Sequence, residues 1–304
     1  MSTQLRIGIS GWRYAPWRKV FYPEGLPQSQ ELHFASRALR SIEINGSFYA
    51  LQTPQRYANW YADTPDDFVF SIKAPRYITH ILRLKSADKA IANFLASGLF
   101  RLQHKLGPIL WQFPPSFRFD AESFGRFLGQ LPHDTGSALR IAEGREAKMA
   151  QNEWLEIDEV RPMRHAVEIR NKSFVDPEFI KLLRKHNVAL VVADTAGKWP
   201  YGEDLTSDFV YMRLHGDAEL YASGYSDAAL DRWAQRIRCW SQGSEPDDAH
   251  LFAPSLRRPS HKHRDVFCYF DNDIKVKAPF DARKLLRRLD LEHGLEELDW
   301  SKTV

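Results

Sequence analysis

The chain has 304 residues, 43% hydrophobic and 27% charged, with a formal net charge of +3. This small positive charge permits an anionic partner without requiring one, because 39 acidic residues offset 42 basic ones. Two cysteines are too few for a disulfide framework, and the sequence shows no leader peptide and no long apolar run. We therefore predict a cytoplasmic protein that makes no use of a membrane.

Eight short apolar segments predict β-strands. Each is rich in β-branched and aromatic residues and is bounded by polar residues, glycine or proline. They cover residues 5–10, 41–45, 68–73, 109–112, 165–170, 188–194, 209–216 and 266–272.

The segments that follow most of these strands have apolar residues at helical spacing. The predicted helices cover residues 29–40, 54–61, 87–106, 121–130, 176–185, 227–240 and 281–291. Gly107 is expected to stop the third of them, and Asp176 with Pro177 to start the fifth. Two polar excursions, 134–164 and 243–264, are predicted to be irregular.

Alternation of strands and helices indicates parallel strand pairing. Eight strand–helix units in a chain of this length predict one (β/α)₈ TIM-barrel domain spanning residues 1–304. The alternative is a doubly wound open sheet. It is disfavoured because Gly8-Ile-Ser-Gly11 is not a dinucleotide-binding fingerprint.

Polar residues within the predicted strands share one parity and fall near the strand ends. Glu43 lies between Ile42 and Ile44, and Arg213 lies between Met212 and Leu214. Alternating residues face opposite sides of a strand, and TIM barrels place their active sites at the carboxyl ends of the strands. The predicted site therefore gathers Ser10, Trp12, Glu43, Asn45, Lys73, Gln112, Glu168, Arg170, Asp194, Arg213, His215 and Asn272. The structural alternative is a set of ion pairs that only fills the barrel.

Acid/base chemistry on a small polar or anionic metabolite is the function these residue types favour. The predicted catalytic residues are Glu43, Lys73, Glu168, Asp194 and His215, with His215 acting as partner to one of the glutamates. Guanidinium groups suit carboxylates and phosphates, so Arg170 and Arg213 are predicted to hold the ligand. The remaining predicted ligand contacts are Trp12, Tyr14, Asn45, Gln112 and Asn272, with Trp17 as a further candidate for stacking on a sugar.

We predict no cofactor and no resident metal. Glu43, Glu168, Asp194 and His215 form an oxygen-rich set that could hold a divalent cation, but no local spacing motif supports a metal site. Two other functions stay open. The basic run 257–264 could bind nucleic acid, or the barrel could bind a ligand without turnover. The oligomeric state does not follow from the sequence.

Several motifs resemble the YecE-like domain-of-unknown-function family. They are Ile9-Ser-Gly-Trp12, Ile42-Glu-Ile-Asn45, Phe70-Ser-Ile-Lys73, Leu106-Gly-Pro-Ile-Leu-Trp-Gln-Phe-Pro-Pro115, Tyr211-Met-Arg-Leu-His-Gly216 and Tyr269-Phe-Asp-Asn272. The matches occur in order along nearly the whole chain. The resemblance implies a TIM barrel and, through general similarity, a relation to sugar isomerases. It implies no particular reaction.

The chain departs from the family pattern in two places. The segment after the fifth strand is Arg170-Asn-Lys-Ser-Phe174, where the family usually has Arg-His-x-Ser-Trp. The eighth strand ends Phe270-Asp-Asn272, where the family usually has Phe-Asn-Asn. The imidazole and the indole of the family pattern are therefore missing here, and an aspartate stands in place of an amide at position 271.

Overall fold

The computed structural model describes residues 3–302 and contains eight parallel strands in a closed barrel. The strands follow one another around the barrel in chain order, which confirms the predicted (β/α)₈ fold. They are β1 (Leu5–Ser10), β2 (Ser41–Ile44), β3 (Val69–Lys73), β4 (Leu106–Gln112), β5 (His165–Glu168), β6 (Ala189–Asp194), β7 (Phe209–Leu214) and β8 (Asp265–Phe270).

Nine α-helices occur among the described residues. They are α1 (Glu31–Ala38), α2 (Gly46–Tyr49), α3 (Pro54–Asp63), α4 (Asp88–Ala96), α5 (Ala121–Gln130), α6 (Thr135–Ala142), α7 (Pro177–Lys185), α8 (Asp227–Ser241) and α9 (Lys277–Arg288). Asp176 caps α7 as predicted, because its carboxylate accepts from the Glu178 amide and Pro177 occupies the first turn.

Two compact units make up the chain. The first contains residues 1–43 and 189–304, and the second contains 44–188. In the first unit β8 pairs with both β1 and β7, and Arg213 stands opposite Tyr269 in the β7–β8 register. In the second unit β3, β4 and β5 pair in order, and Gln112 stands opposite Glu168. Whether the chain folds as the single domain we predict stays a prediction.

The long helix predicted over residues 87–106 is wrong. α4 ends at Ala96, and Gly98 adopts a φ of 114°, with the Pro54 backbone so close that a Cβ would lie 2.5 Å from its Cα. A 3₁₀ segment, Leu99–Lys105, follows and buries Leu99 and Leu102, which maintained the apolar spacing in the sequence. Gly107 lies inside β4 and does not stop a helix.

The excursion 134–164 is less irregular than predicted. Its first part forms α6, which Asp134 caps by accepting from the Ser137 amide 2.7 Å away. The second excursion, 243–264, contains no helix or strand, as predicted. α9 begins at Lys277, four residues before the predicted start.

Lys105 is buried at the end of the 3₁₀ segment. Its side chain reaches the last turn of α3, where Nζ donates to Tyr61 O at 2.7 Å and to Thr64 O at 2.8 Å. Thr64 Oγ1 lies 3.3 Å from the same nitrogen, and the residue is 1% exposed. The ammonium thus satisfies carbonyls that a helix end leaves without partners.

No helix in residues 3–302 is long and apolar enough to cross a membrane. Cys239 and Cys268 are both free thiols, and Cys268 is fully buried in β8. The cytoplasmic location stays a prediction.

Candidate functional site at the strand ends

A buried ion pair joins Arg213 to Glu43 in the first unit. The Arg213 guanidinium lies with Nε 3.1 Å from Glu43 Oε2 and Nη2 2.9 Å from Oε1, and both side chains are 0% exposed. Tyr211 donates its hydroxyl to Oε2 at 2.6 Å, and the Ser10 hydroxyl donates to Oε1. The predicted parity is therefore correct for Tyr211 and Arg213. Glu43 is fully engaged by protein donors and is poorly placed to accept a proton from a ligand.

Arg213 also contacts a second carboxylate. Its Nη2 lies 2.8 Å from Asp271 Oδ2 and 3.0 Å from Ser10 Oγ. Asp271 follows β8 and is 14% exposed at the side chain. One guanidinium thus lies between two carboxylates. The geometry favours a positioning role for Arg213, and its predicted role in holding a ligand anion stays a prediction.

His215 is completely buried beside the same guanidinium. Its Nε2 lies 3.3 Å from Arg213 Nη1. Its Nδ1 lies 3.0 Å from Asp271 Oδ2, but the angles of this contact do not allow a hydrogen bond. Arginine can only donate, so Nε2 is the acceptor in the contact with Arg213, and Nδ1 is the ring nitrogen nearer to Asp271. The carboxylate beside His215 is therefore Asp271, whereas the sequence suggested one of the glutamates.

Asp273 is a functional candidate that the sequence reasoning missed. Burial, and to a smaller extent the negative charge of Asp271, raise the pKa of Asp273 to about 6, against opposing effects of the Tyr14 hydroxyl and Arg213. Trp17 Nε1 donates to the Asp273 carbonyl at 3.2 Å and so fixes the backbone here. The available signal was a pair of acidic residues, 271 and 273, at two-residue spacing just beyond a predicted strand.

Asn272, between these two aspartates, points elsewhere. Its Nδ2 donates to Asp281 Oδ2 of α9 at 2.9 Å and to Ser223 O at 3.0 Å, and the residue is 0% exposed. Alternation along the chain accounts for this difference from Asp271. The geometry gives Asn272 a structural role in joining β8 to α9.

Asp194 lies at the end of β6, where Tyr225 donates to its Oδ2 at 3.2 Å. Burial raises the pKa of Asp194 above its ordinary value, while the Tyr225 hydroxyl lowers it. Burial likewise raises the pKa of Tyr225 well above its ordinary range. Asp194 thus stays a candidate for proton transfer, with Tyr225 as its neighbour.

The aromatic loop after β1 is largely packed into the protein. Trp17 is 0% exposed and contacts Phe21 and Tyr22, and Trp12 is 8% exposed. Tyr14 is half-buried, and its hydroxyl donates to Ser10 O at 2.6 Å. Trp17 is therefore unavailable for stacking on a ligand in this conformation, while Tyr14 keeps exposed surface.

Gln112, Glu168 and Arg170 come together in the second unit. Gln112 Nε2 and Arg170 Nε each lie 2.9 Å from Glu168 Oε1. Glu168 is 1% exposed at the side chain, and Arg170 is 14% exposed. The predicted proximity of Glu168 and Arg170 is thus observed, as an ion pair with an amide on the same oxygen.

Lys73 and His80 lie in the same unit. Lys73 Nζ lies 4.3 Å above the centre of the Phe48 ring, and the residue is 8% exposed. Burial lowers the pKa of His80 to about 4, helped by the positive charges of Arg76, Arg170 and Lys73. His80 is therefore a neutral imidazole at neutral pH, with several cations near it. Asn45, which immediately precedes α2, is half-buried.

No group of three or more histidine, cysteine, aspartate or glutamate side chains in residues 3–302 is arranged to hold a metal ion. Within the proposed ligand set, the Glu43 carboxylate already accepts from Arg213, Tyr211 and Ser10. The described residues thus offer no fit for a divalent cation at Glu43.

A parallel eight-stranded barrel with polar side chains at its strand ends defines a TIM-barrel protein. The chain belongs to the family described as protein of unknown function DUF72, whose model matches residues 6–302. It is 29% identical to the UPF0759 protein YunF of Bacillus subtilis, over 95% of this chain and 96% of YunF. It is 22% identical to the UPF0759 protein YecE of Escherichia coli, over 80% of this chain and 84% of YecE.

Solved structures show the same fold. A DUF72 family protein from Thermotoga maritima superposes with a TM-score of 0.67 at 23% identity, covering 94% of this chain and 99% of the other. One from Enterococcus faecalis gives a TM-score of 0.66 at 18% identity, covering 97% and 100%. At these identities the likeness concerns the barrel and not the reaction.

Proposed function

We propose that this chain is an enzyme that acts by acid/base chemistry on a small polar or anionic metabolite, at the carboxyl ends of its barrel strands. The observation that carries the proposal is the aspartate pair after β8. Asp271 is held by Arg213 at 2.8 Å, and Asp273, two residues on, is half-buried with a pKa of about 6. Two carboxyl groups in unlike environments are the arrangement that acid/base enzymes use.

Asp273 suits proton transfer better than Glu43, one of the two glutamates that the sequence favoured. A group whose pKa lies near neutral pH exchanges protons most effectively at that pH. Glu43 is 0% exposed and fully hydrogen-bonded, and His215 is 0% exposed beside Arg213. We assign Asp273 the role of general acid or base, and Glu43, Arg213 and His215 the role of positioning Asp271.

The substrate class follows from the neighbouring groups. Tyr14 is half-buried next to Asp273, and aromatic faces pack on the apolar face of a sugar ring. A hydroxylated, sugar-like substrate fits an aromatic face beside a carboxyl group, in keeping with the sugar-isomerase relation that the family resemblance suggested.

Deuterium incorporation tests the proposal even while the product is unidentified. The protein is incubated in D₂O with a panel of aldoses, ketoses, their phosphates and small hydroxy acids, and exchange of carbon-bound hydrogen is followed by proton NMR. The wild type should catalyse exchange in at least one substrate class, and Asp273→Asn should abolish it while staying folded. Exchange that is absent from the wild type, or unchanged in Asp273→Asn, contradicts the assignment.

Glu168→Gln separates catalysis from ligand binding. Lost stability with unchanged ligand binding would remove Glu168 from the catalytic set. Binding of a panel member without any exchange or turnover would instead favour the non-catalytic ligand-binding barrel.

The nucleic-acid alternative has little geometric support in the basic loop. Arg264 is 1% exposed and donates to the carbonyls of Ser207, Gly243 and Pro259, while Arg258 donates to Gly243 O at 2.7 Å. Both guanidinium groups therefore stabilise the loop. Binding to DNA or RNA with a steep dependence on salt would restore this alternative.

A further inference from the structure

A separate cavity of about 560 Å³ lies in the second unit, among residues that the candidate site does not use. It is built from the segment between β3 and α4, the segment between β4 and α5, and one side of α5. This volume is within the range of small-molecule sites, roughly 300–1,000 Å³. The cavity is large enough for a metabolite.

The cavity carries a strong positive charge. Its ionisable lining residues are the cations Arg83, Lys85, Arg118 and Arg126 and one acid, Asp88. The carboxylate of Asp88 already accepts from Gln130 Nε2 at 2.7 Å. Four cations against one acid give the lining a formal charge of +3.

Most of this positive charge is not offset by ion pairs within the described part of the chain. Within residues 3–302, neither Arg83, Lys85 nor Arg118 forms an ion pair with a carboxylate. Arg126 pairs with Glu122, but both side chains are more than half exposed, and such pairs contribute little. An anion entering the cavity would therefore compete with few existing partners.

Arg83 is held in place by contacts that leave its charge uncompensated. Its Nη1 donates to Ser116 Oγ at 3.0 Å and its Nη2 to Ser116 O at 2.8 Å, and the guanidinium lies 5.3 Å from the Phe117 ring centre. These contacts join the two loops that form the cavity. A pre-positioned guanidinium loses little freedom when it binds an oxyanion.

The backbone beside Arg83 is strained. Arg83, Leu84 and Ser86 have φ values of 51°, 66° and 49°, in the left-handed region that side-chain-bearing residues avoid. The Leu84 amide donates to Ile78 O at 3.1 Å, which helps to hold this conformation. Strain of this kind clusters where backbone geometry serves a ligand.

We propose that this cavity binds a small phosphorylated ligand. Several cations that converge from two loops suit a multiply charged oxyanion, and planar guanidinium groups donate two parallel hydrogen bonds to phosphate oxygens. The serine hydroxyls in the lining, including Ser86 and Ser123, supply further donors. The proposal does not depend on the reaction proposed above, because none of its residues belongs to that site.

Inorganic pyrophosphate is the probe, measured by isothermal titration calorimetry at low salt. We expect one saturable site in the wild-type protein and affinity roughly tenfold weaker or worse in Lys85→Gln/Arg118→Gln, which removes two exposed cations. The matched control, Lys185→Gln/Lys262→Gln, removes the same charge from exposed positions elsewhere and should bind as the wild type does. Asp273→Asn should also bind normally.

Three outcomes overturn the proposal. These are no saturable binding by the wild type, equal weakening in the control pair, and unchanged binding in Lys85→Gln/Arg118→Gln. Binding that is lost only in Asp273→Asn would place the phosphate at the strand-end site instead.

Discussion

Asp271 Oδ2 lies 2.8 Å from Nη2 of Arg213. The same guanidinium already forms a two-pronged contact with Glu43, so two carboxylates share one buried cation. The negative charge of Asp271 also contributes, after the larger effect of burial, to the raised pKa of Asp273, which is about 6.

Asp271→Asn should therefore lower the pKa of Asp273. Removing a neighbouring negative charge makes ionisation of the remaining carboxyl group easier. A ¹³C-detected NMR titration of the Asp273 side chain would show its midpoint move below pH 6. Asp299→Asn, at an exposed carboxylate remote in the sequence, should leave that midpoint in place. An unmoved midpoint in Asp271→Asn would show that the two groups are not coupled.

Arg213→Met should destabilise the protein by about 3–5 kcal/mol, because it leaves the Glu43 carboxylate buried without a cation. Urea unfolding monitored by circular dichroism measures the loss. Arg126→Met removes an arginine from an exposed pair with Glu122 and should cost well under about 1 kcal/mol. Similar losses in the two variants would contradict the importance of the buried pair.

Tyr211→Phe and Tyr269→Phe form a matched comparison. Both rings are 0% exposed, but the Tyr211 hydroxyl lies 2.6 Å from the Glu43 carboxylate and the Tyr269 hydroxyl lies 2.8 Å from Ser41 Oγ. Hydrogen bonds to charged groups contribute about 1.5–3 kcal/mol and neutral ones about 0.5–1.5 kcal/mol. Tyr211→Phe should thus show the larger drop in unfolding free energy, and the reverse order would refute the charged-acceptor role of Glu43.

His165 should make the protein acid-sensitive. It is fully buried, accepts from Trp111 Nε1 at Nδ1 and donates from Nε2 to Pro132 O, and burial lowers the pKa of His165 to about 4. The unfolded chain binds a proton near pH 6.5, so stability falls as the pH drops from about 6.5 toward 4. The loss attributable to this residue approaches about 3 kcal/mol, at about 1.4 kcal/mol per pH unit.

Unfolding free energies at several pH values test this sensitivity. His165→Asn should lose less stability than the wild type between pH 7 and pH 4.5, whatever its stability at pH 7. His293→Asn, at an exposed histidine, should follow the wild-type curve. Parallel curves for His165→Asn and the wild type would show that His165 is not the titrating group.

The barrel was predictable because each strand carries its own signal. β7 and β8 are uncharged over most of their length, and the parity of Tyr211 and Arg213 correctly predicted that their side chains share a face. The break in the helix after Ala96 was not predictable, since Leu99 and Leu102 continue the apolar spacing through the 3₁₀ segment. The backbone at Gly98 ends the helix, and only tertiary contact with Pro54 shows why.

The site was predictable as a region but not as a set of roles. Residue types placed Glu43, Arg213 and His215 together, but nothing in the sequence showed that Glu43 and His215 would be entirely buried. The sequence predicted that Asn272, at the end of a strand, contacts the ligand. In the structure the Asn272 side chain binds Asp281, and it is the neighbouring Asp271 that contacts Arg213. The role of each site residue depends on which of its atoms stay exposed after packing. The alternation of side chains along a strand does not determine that exposure.

Lys105 offers an internal reporter of local unfolding. Its ammonium donates to the carbonyls of Tyr61 and Thr64 and is almost inaccessible, so amine-reactive reagents should modify it far more slowly than the exposed Lys85. Acylation of Lys105 then requires the end of α3 to separate from the 3₁₀ segment. Its labelling rate, read by mass spectrometry, would measure how often this part of the second unit opens under native conditions.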